Sequence, residues 1–336
     1  MAEPQHAGRV VVITGGSAGV GRATARAFAE RGARVGVIAR GADRLEAVRR
    51  EVEAAGAAAS VQAADVADAE AVERAAEAIE RDLGPVDVWI NCAMAAVLAP
   101  VKETSAPDFR RVTEVTYLGC VHGTLAALHR MLPRDEGVIV QVGSALAYRA
   151  IPLQATYCAA KHAARAFSDS LRVELLHEGS AVKVTTVHLP GLNTPQFDWV
   201  RTTLPRAPRP VAPVFDPEVA ADAILWAADH PKREHWVAGS TLMTIAGNKL
   251  APGIADRYLA RTGYDGQQDK QPVGGDRRDY LWEALPGDPG AHGRSRAKPG
   301  VVGDEAPSTA GVRGRGGGRG GRRIPRRPHA VKLGAG

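Results

Sequence analysis

Tyr157 and Lys161 stand four residues apart in the stretch Gln154–Phe167, QATYCAAKHAARAF. Four residues is close to one helical turn, so on a helix the phenol and the ammonium project from one face. A free phenol titrates near 10 and is a poor proton donor or acceptor at neutral pH. A cation beside it favours the phenolate, which suits proton exchange with a substrate oxygen. A Tyr-x-x-x-Lys spacing alone recurs by chance, so its weight depends on the elements that would position it.

Those elements alternate over the first 240 residues. Strand patterns run RVVVIT (Arg9–Thr14), RVGVIA (Arg34–Ala39), SVQAAD (Ser60–Asp65), VDVWINCA (Val86–Ala93), GVIVQVG (Gly137–Gly143) and VKVTTVHLP (Val182–Pro190). Helix patterns fall between them, over 20–31, 42–55, 68–82, 105–132 and 156–178. The strands are near-continuous apolar runs, which implies burial on both faces, as in a parallel sheet covered by helices. The predicted fold is α/β: a Rossmann-type doubly wound parallel sheet in a single domain over 8–240, with a helical C-terminal extension and a disordered tail.

Within that domain, residues 191–216 are proline-rich and too long for a plain connection, and read as a substrate loop. Its Phe197 and Trp199 suit an apolar pocket or an anchor for the loop itself. A helix over 217–229 and a short strand near REHWVAG close the domain. The extension, 241–286, reads as two helical pieces broken at Pro252-Gly253 and packed on the body. From Gly287 to Gly336 the composition predicts loss of order. GVRGRGGGRGGRRIPRRP resembles arginine-glycine RNA-binding tails. A solvated tail with weak anion affinity, or sequence read past the usual end of the protein, is the favoured reading. No specific nucleic-acid partner is expected.

The formal net charge of +6 comes from 43 basic and 37 acidic side chains in 336 residues. Residues 291–336 hold 11 of the former and 2 of the latter, so the preceding 290 residues are net −3. The basic character therefore lives in the tail, and the body gives no reason to expect an acidic partner. Cys92, Cys120 and Cys158 are odd in number and widely spaced, which fits neither a disulfide framework nor a zinc site. No signal pattern and no bilayer-length apolar run is present, and a cytoplasmic location is expected.

TGGSAGVG (Thr14–Gly21) follows the first strand and opens the first helix, the place where a doubly wound sheet binds a dinucleotide. Glycine lets the backbone approach phosphate, and the helix N-terminus supplies N–H groups. No Lys-Ser/Thr follows the last glycine, which excludes a triphosphate P-loop. Thr-Gly-x-x-x-Gly-x-Gly here resembles the short-chain dehydrogenase/reductase family. Other marks agree in order over about 8–240: Asp65-Val66 after the third strand, NCAM (Asn91–Met94), Ser144 thirteen residues before Tyr157, and PGLNT (Pro190–Thr194).

The resemblance implies an enzyme acting on CH–OH and carbonyl groups, with Tyr157 exchanging the proton. It implies that Lys161 lowers the tyrosine pKa and holds the nicotinamide ribose, and that Ser144 orients the substrate oxygen. Cofactor contacts fall to Gly15, Ser17, Gly19, Val20, Gly21, Asp65, Val66, Asn91, Ala93, Pro190, Gly191 and Thr194. Two positions depart from the pattern. Thr116 stands where the family has a catalytic asparagine that supports a proton-relay water, and Met94 replaces a glycine near the nicotinamide. Ala39-Arg40 ends the second strand without the carboxylate of NAD-specific members, and Arg40 can pair with a 2′-phosphate, so NADP(H) is expected over NAD(H). A homodimer or homotetramer through the two long helices is implied. The sequence leaves the substrate open beyond a moderately hydrophobic alcohol or ketone. The alternative is a catalytically weak nucleotide-binding scaffold or redox sensor, supported by Thr116 alone. His162 should lie on another helix face, and His188 reads as a core histidine near the cofactor.

Overall fold

The computed structural model describes residues 6–274, 277–295 and 297. Seven strands build one central sheet: β1 (Val10–Thr14), β2 (Arg34–Ala39), β3 (Ala59–Ala63), β4 (Val88–Asn91), β5 (Val138–Ser144), β6 (Lys183–Leu189) and β7 (Glu234–Trp236). Their order is β3-β2-β1-β4-β5-β6-β7, and every neighbouring pair is parallel. The chain reverses direction across the sheet between β1 and β4, which opens a crevice at the strands' carboxyl ends.

The apolar runs explain the layers. Val11, Ile13, Val35 and Val37 point into one core with Phe28 of α1 (Gly19–Ala29) and Ile224 of α7 (Pro217–Asp229). Val10, Val12 and Trp89 point the other way, into a core with Ile79 of α3 (Ala69–Leu83) and Met131 of α5 (Gly119–Met131). Successive residues of a strand alternate between faces, so a strand buried on both must be apolar throughout. Each fully buried Val or Ile contributes about 1.5–3 kcal/mol relative to exposure. Local signals set the helix ends. Asp68 caps α3 and Ser105 caps α4 (Ala106–Thr113), each accepting a backbone N–H. Gly179, at φ 70°, ends α6 (Ala155–Glu178).

Three expectations change. The long helix over 105–132 is divided by a π-helical turn, Glu114–Leu118, between α4 and α5. Such turns widen a helix locally and favour functional sites. The extension is helical through α8 (Ala238–Leu250) and α9 (Pro252–Thr262); Gln268–Pro272 then pairs antiparallel with Arg206–Pro208 of the substrate loop. Residues 287–295, assigned by composition to the disordered tail, pack instead against α1, α7 and the segment after β6, and Ala291 is buried. The arginine-glycine run lies outside the described residues. No helix among the described residues is long and apolar enough to cross a membrane.

Candidate active site

The glycine turn sits at the crevice between β1 and β4. Gly15 has φ 71°, and a Cβ there would lie 2.6 Å from the Ala93 Cα. At Gly21 a Cβ would meet the Gly15 carbonyl oxygen at 2.4 Å. Both positions are therefore closed to any side chain, and the backbone forms a bare cradle at the start of α1. Val20 lies in that first turn, which carries no acidic side chain, as an anion-binding helix start requires. Thr14 Oγ1 accepts from the Cys92 and Ala93 N–H groups at 3.3 and 3.4 Å, tying the β4 exit to the turn. Ser17 lines the same crevice, and Thr194 of the segment after β6 stands beside Gly19.

Ser144 ends β5, and Tyr157 and Lys161 share one face of α6. Ser144 Oγ accepts from the Leu146 N–H at 3.1 Å, which leaves its own hydrogen to donate. Lys161 Nζ donates to the Val142 carbonyl at 2.7 Å and lies 5.7 Å from the centre of the Tyr157 ring. Burial pushes the Tyr157 phenol well above the usual tyrosine range, and a hydrogen bond with Ser144 pulls it partly back. Burial likewise lowers Lys161. The net direction for the phenol is thus upward, set by burial. Both groups are desolvated, which penalises each charged form, and the ammonium points at a carbonyl of β5.

Two candidates make hydrogen bonds that fasten the fold. Thr116 Oγ1 donates to the Ala95 carbonyl and accepts from the Ala95 N–H, both at 2.8 Å. Its hydrogen is committed, and the bond pair pins the π turn to the segment after β4. Asn91 Oδ1 accepts from the Trp89 indole at 2.9 Å, and its Nδ2 donates to Thr124 and Gln141 at 3.0 Å. The Asn91 side chain faces the sheet and α5 rather than the crevice. Beside Lys161 and Thr116 lies a cavity of about 10 Å³, also lined by Cys120 and Gln141; this is room for about one water. His162 is exposed, with Nδ1 on the Cys158 carbonyl, and buried His188 places Nδ1 3.1 Å from the Ser144 carbonyl.

At the far end, Asp65 Oδ1 accepts from the Ala67 N–H at 3.0 Å, and its other oxygen pairs with Arg111 of α4. Val66 is buried on the crevice wall. Arg40, at the end of β2, donates to three backbone carbonyls of the C-terminal segment: Tyr280 at 2.5 Å, Trp282 at 3.1 Å and Leu281 at 3.4 Å. Arg111, Tyr280 and Leu281 were not singled out from sequence. The one available signal was Tyr280-Leu281-Trp282, an apolar island in an otherwise polar stretch.

The glycine turn, Arg40, Asp65, Ser144, Tyr157 and Lys161 line one cavity of about 1020 Å³, running from the glycine turn past Tyr157 to α9. Pro190 and Gly191 form part of its wall, and a Cβ at Gly191 would lie 2.3 Å from the Val211 carbonyl oxygen. Beyond Tyr157 the lining is largely apolar, with Leu98, Ile151, Val200, Met243 and Leu259, and carries polar Arg149, Ser240, Thr244 and Asn248 among them. Phe197 and Trp199 also line it, and Trp199 stacks under the Arg44 guanidinium at 4.6 Å. The bare cradle, the helix start and a cavity of this length fit a nicotinamide dinucleotide.

Comparison with known proteins agrees with this geometry. A family model described as short chain dehydrogenase matches residues 9–204. The uncharacterized oxidoreductase YxnA of Bacillus subtilis is 32% identical over 278 residues, covering 82% of this chain and 78% of its own. The uncharacterized oxidoreductase Rv1543 of Mycobacterium tuberculosis is 32% identical over 259 residues, covering 76% of this chain and 73% of its own. Among solved structures, a short chain dehydrogenase from Mycobacterium paratuberculosis bound to NAD has a TM-score of 0.61 at 24% identity, covering 70% of this chain and 98% of that one. Levodione reductase has a TM-score of 0.61 at 22% identity, covering 71% and 99%. At such identities these two structures show a shared fold.

Proposed function

The chain belongs to the short-chain dehydrogenase family and is an oxidoreductase; from that premise we propose that it interconverts an apolar ketone or aldehyde with its alcohol, using NADP(H). The observation that carries this reading is the meeting of Ser144, Tyr157 and Lys161 midway along one cavity. A glycine cradle lies at one end and an apolar chamber at the other. When bound, the nicotinamide dinucleotide supplies or accepts the hydride.

The residues of the chain handle the proton and the position. Tyr157, kept neutral by burial, gives its proton to the substrate oxygen in reduction and takes one back in oxidation. Ser144, whose hydroxyl hydrogen is not taken by the backbone, holds that oxygen in place. Lys161 offers its ammonium to a ribose hydroxyl, and the small cavity beside it has room for a water that relays protons. Gly15, Ser17, Gly19, Val20 and Gly21 cradle the pyrophosphate half, with Thr194 opposite. Asp65 and Val66 border the adenine, and Ala93, Pro190 and Gly191 border the nicotinamide. The 2′-phosphate form is supported by the lack of a carboxylate at the end of β2 and by Arg40 there, whose Nε–H is not spent on the Tyr280–Trp282 carbonyls. Exposed Leu125 on α5, with Val173 and Leu176 on α6, supports pairing of two copies through these helices. A cytoplasmic location suits three free cysteines. A redox-sensing role has less support, because burial pushes all three thiols up to about 11, far from thiolate reactivity at neutral pH.

The test is turnover of a panel of apolar ketones with NADPH or NADH, in wild type and Tyr157→Phe. Wild type is expected to reduce members of the panel, with higher kcat/KM for NADPH. Tyr157→Phe should lose about a thousandfold in turnover while still binding nucleotide. Equal turnover by the two proteins would remove Tyr157 as the proton donor, and a preference for NADH would reverse the cofactor assignment.

A further inference from the structure

The C-terminal segment 277–295 touches both lips of the dinucleotide crevice. On the adenosine side it receives Arg40 on three carbonyls and Arg44 Nε on the Gly287 carbonyl at 3.0 Å. Asp288 pairs with Arg22 of α1, a side chain only 4% exposed and held from behind by Glu51 at 2.7 Å. The Gly290 carbonyl accepts the Gly19 N–H, the first of α1, at 3.2 Å. On the opposite lip, the Gly293 N–H donates to the Asn193 carbonyl at 3.1 Å, and the Ser295 N–H to Asn193 Oδ1 at 3.0 Å. Arg277 donates to the Phe197 carbonyl at 2.8 Å, and the Tyr280 N–H to that of Trp199 at 3.2 Å.

The seat is built rather than incidental. Leu281 is fully buried, and the Tyr280 hydroxyl accepts the Ala96 N–H at 3.0 Å. A Cβ at Gly293 would lie 2.5 Å from the Thr194 carbonyl oxygen, so only glycine passes there. Tyr280, Ala284 and Leu285 line the same cavity as Ser17, Arg40 and Asp65, so the segment roofs the adenosine half and leaves space beneath.

We infer that residues 277–295 are a strap that completes the dinucleotide site and must lift for the nucleotide to enter or leave. This rests on the dinucleotide reading above. The strap spans the crevice and leaves space beneath it for the nucleotide, so weakening its anchor speeds entry and release alike. The affinity then stays nearly constant while exchange quickens. Arg22–Asp288 is the anchor to weaken, since it is charge-assisted and remote from the reacting atoms.

The test measures NADPH affinity by fluorescence titration and NADPH release by displacement in stopped flow. Four proteins are compared: the full chain, a chain ending at residue 297, Asp288→Asn, and a chain ending at Gly274. The full chain and the chain ending at 297 should release NADPH at the same rate. Asp288→Asn should release it about tenfold faster with its Kd within about twofold of wild type. The chain ending at Gly274 should exchange fastest and bind more weakly, having lost the Tyr280–Leu285 roof. Asp288→Asn keeps every apolar contact, so it decides the matter even if the shorter chain does not fold. Hydrogen exchange supplies a second readout: amides 280–293 should gain protection when NADPH binds. Unchanged release in Asp288→Asn would overturn the strap. So would tighter binding by the chain ending at Gly274, which would make the segment a plug. Failure of the full chain and the chain ending at Gly274 alike to bind NADPH or NADH would instead strike the dinucleotide reading, and the strap with it.

Discussion

At Tyr157 burial acts against ionisation, and the sign of this effect reaches the pH profile. A phenol whose pKa is raised stays protonated through neutral and mildly alkaline pH. On the proposed mechanism ketone reduction draws its proton from Tyr157, and it should therefore be nearly flat up to about pH 9. Alcohol oxidation needs the phenolate and should rise about tenfold per pH unit over the alkaline range. Initial rates in both directions across pH 6–10 check this; an oxidation rate that levels off near pH 7 would place the active base elsewhere. Thr116 calls for a different measurement. Its hydroxyl satisfies both backbone groups of buried Ala95, so Thr116→Ala should destabilise the fold by about 1–3 kcal/mol. Thr116→Ser should recover most of that loss. Urea unfolding of the three proteins separates this fastening role from a purely catalytic one, which would leave the midpoint unchanged.

Among the elements, the edge strand β7 is held to its neighbours through Glu234. Its carboxylate receives the Tyr148 hydroxyl and lies 3.5 Å from Arg165 of α6 and 3.6 Å from His188 of β6. Burial alone would raise its pKa, but the nearby His188 ring and the hydrogen bond from Tyr148 outweigh that and hold it far below its ordinary 4.5. A depressed carboxylate stabilises the fold above its unfolded pKa, and that stability drains away as pH falls through the window below about 4.5. Glu234→Gln should therefore cost about 2 kcal/mol at pH 7 and show a flatter loss of stability between pH 5 and pH 3. Thermal melts across that range check it. The same cluster reaches the active site, because His188 also holds the Ser144 carbonyl, so β7 braces the end of β5 from two strands away.

Across the whole molecule, legibility follows distance along the chain. The β-α-β alternation, the glycine turn and the shared face of Tyr157 and Lys161 are readable because each depends on residues within a turn or a strand of one another. Apolar runs announce two-sided burial, and spacing on a helix announces a common face. Helix α7 falls on the predicted 217–229, where Pro217 begins it. The π turn at Glu114–Leu118 was not legible, because the bond that holds it joins Thr116 to Ala95, in a segment folded against it from twenty-one residues upstream. Nor were the partners of Arg40, which come from about 240 residues further along the chain. Composition assigned residues 287–295 to disorder because it weighs only what a segment could bury by itself. It does not register a finished crevice with arginines waiting on its rim. The sequence by itself thus determined the sheet, the glycine turn at its crevice and the helix face that Tyr157 and Lys161 share, since local pattern suffices for these. Only the tertiary structure decided which candidates are fasteners, which way burial moves the phenol, and what roofs the crevice. Desolvation and long-range hydrogen bonds exist only once the chain has folded.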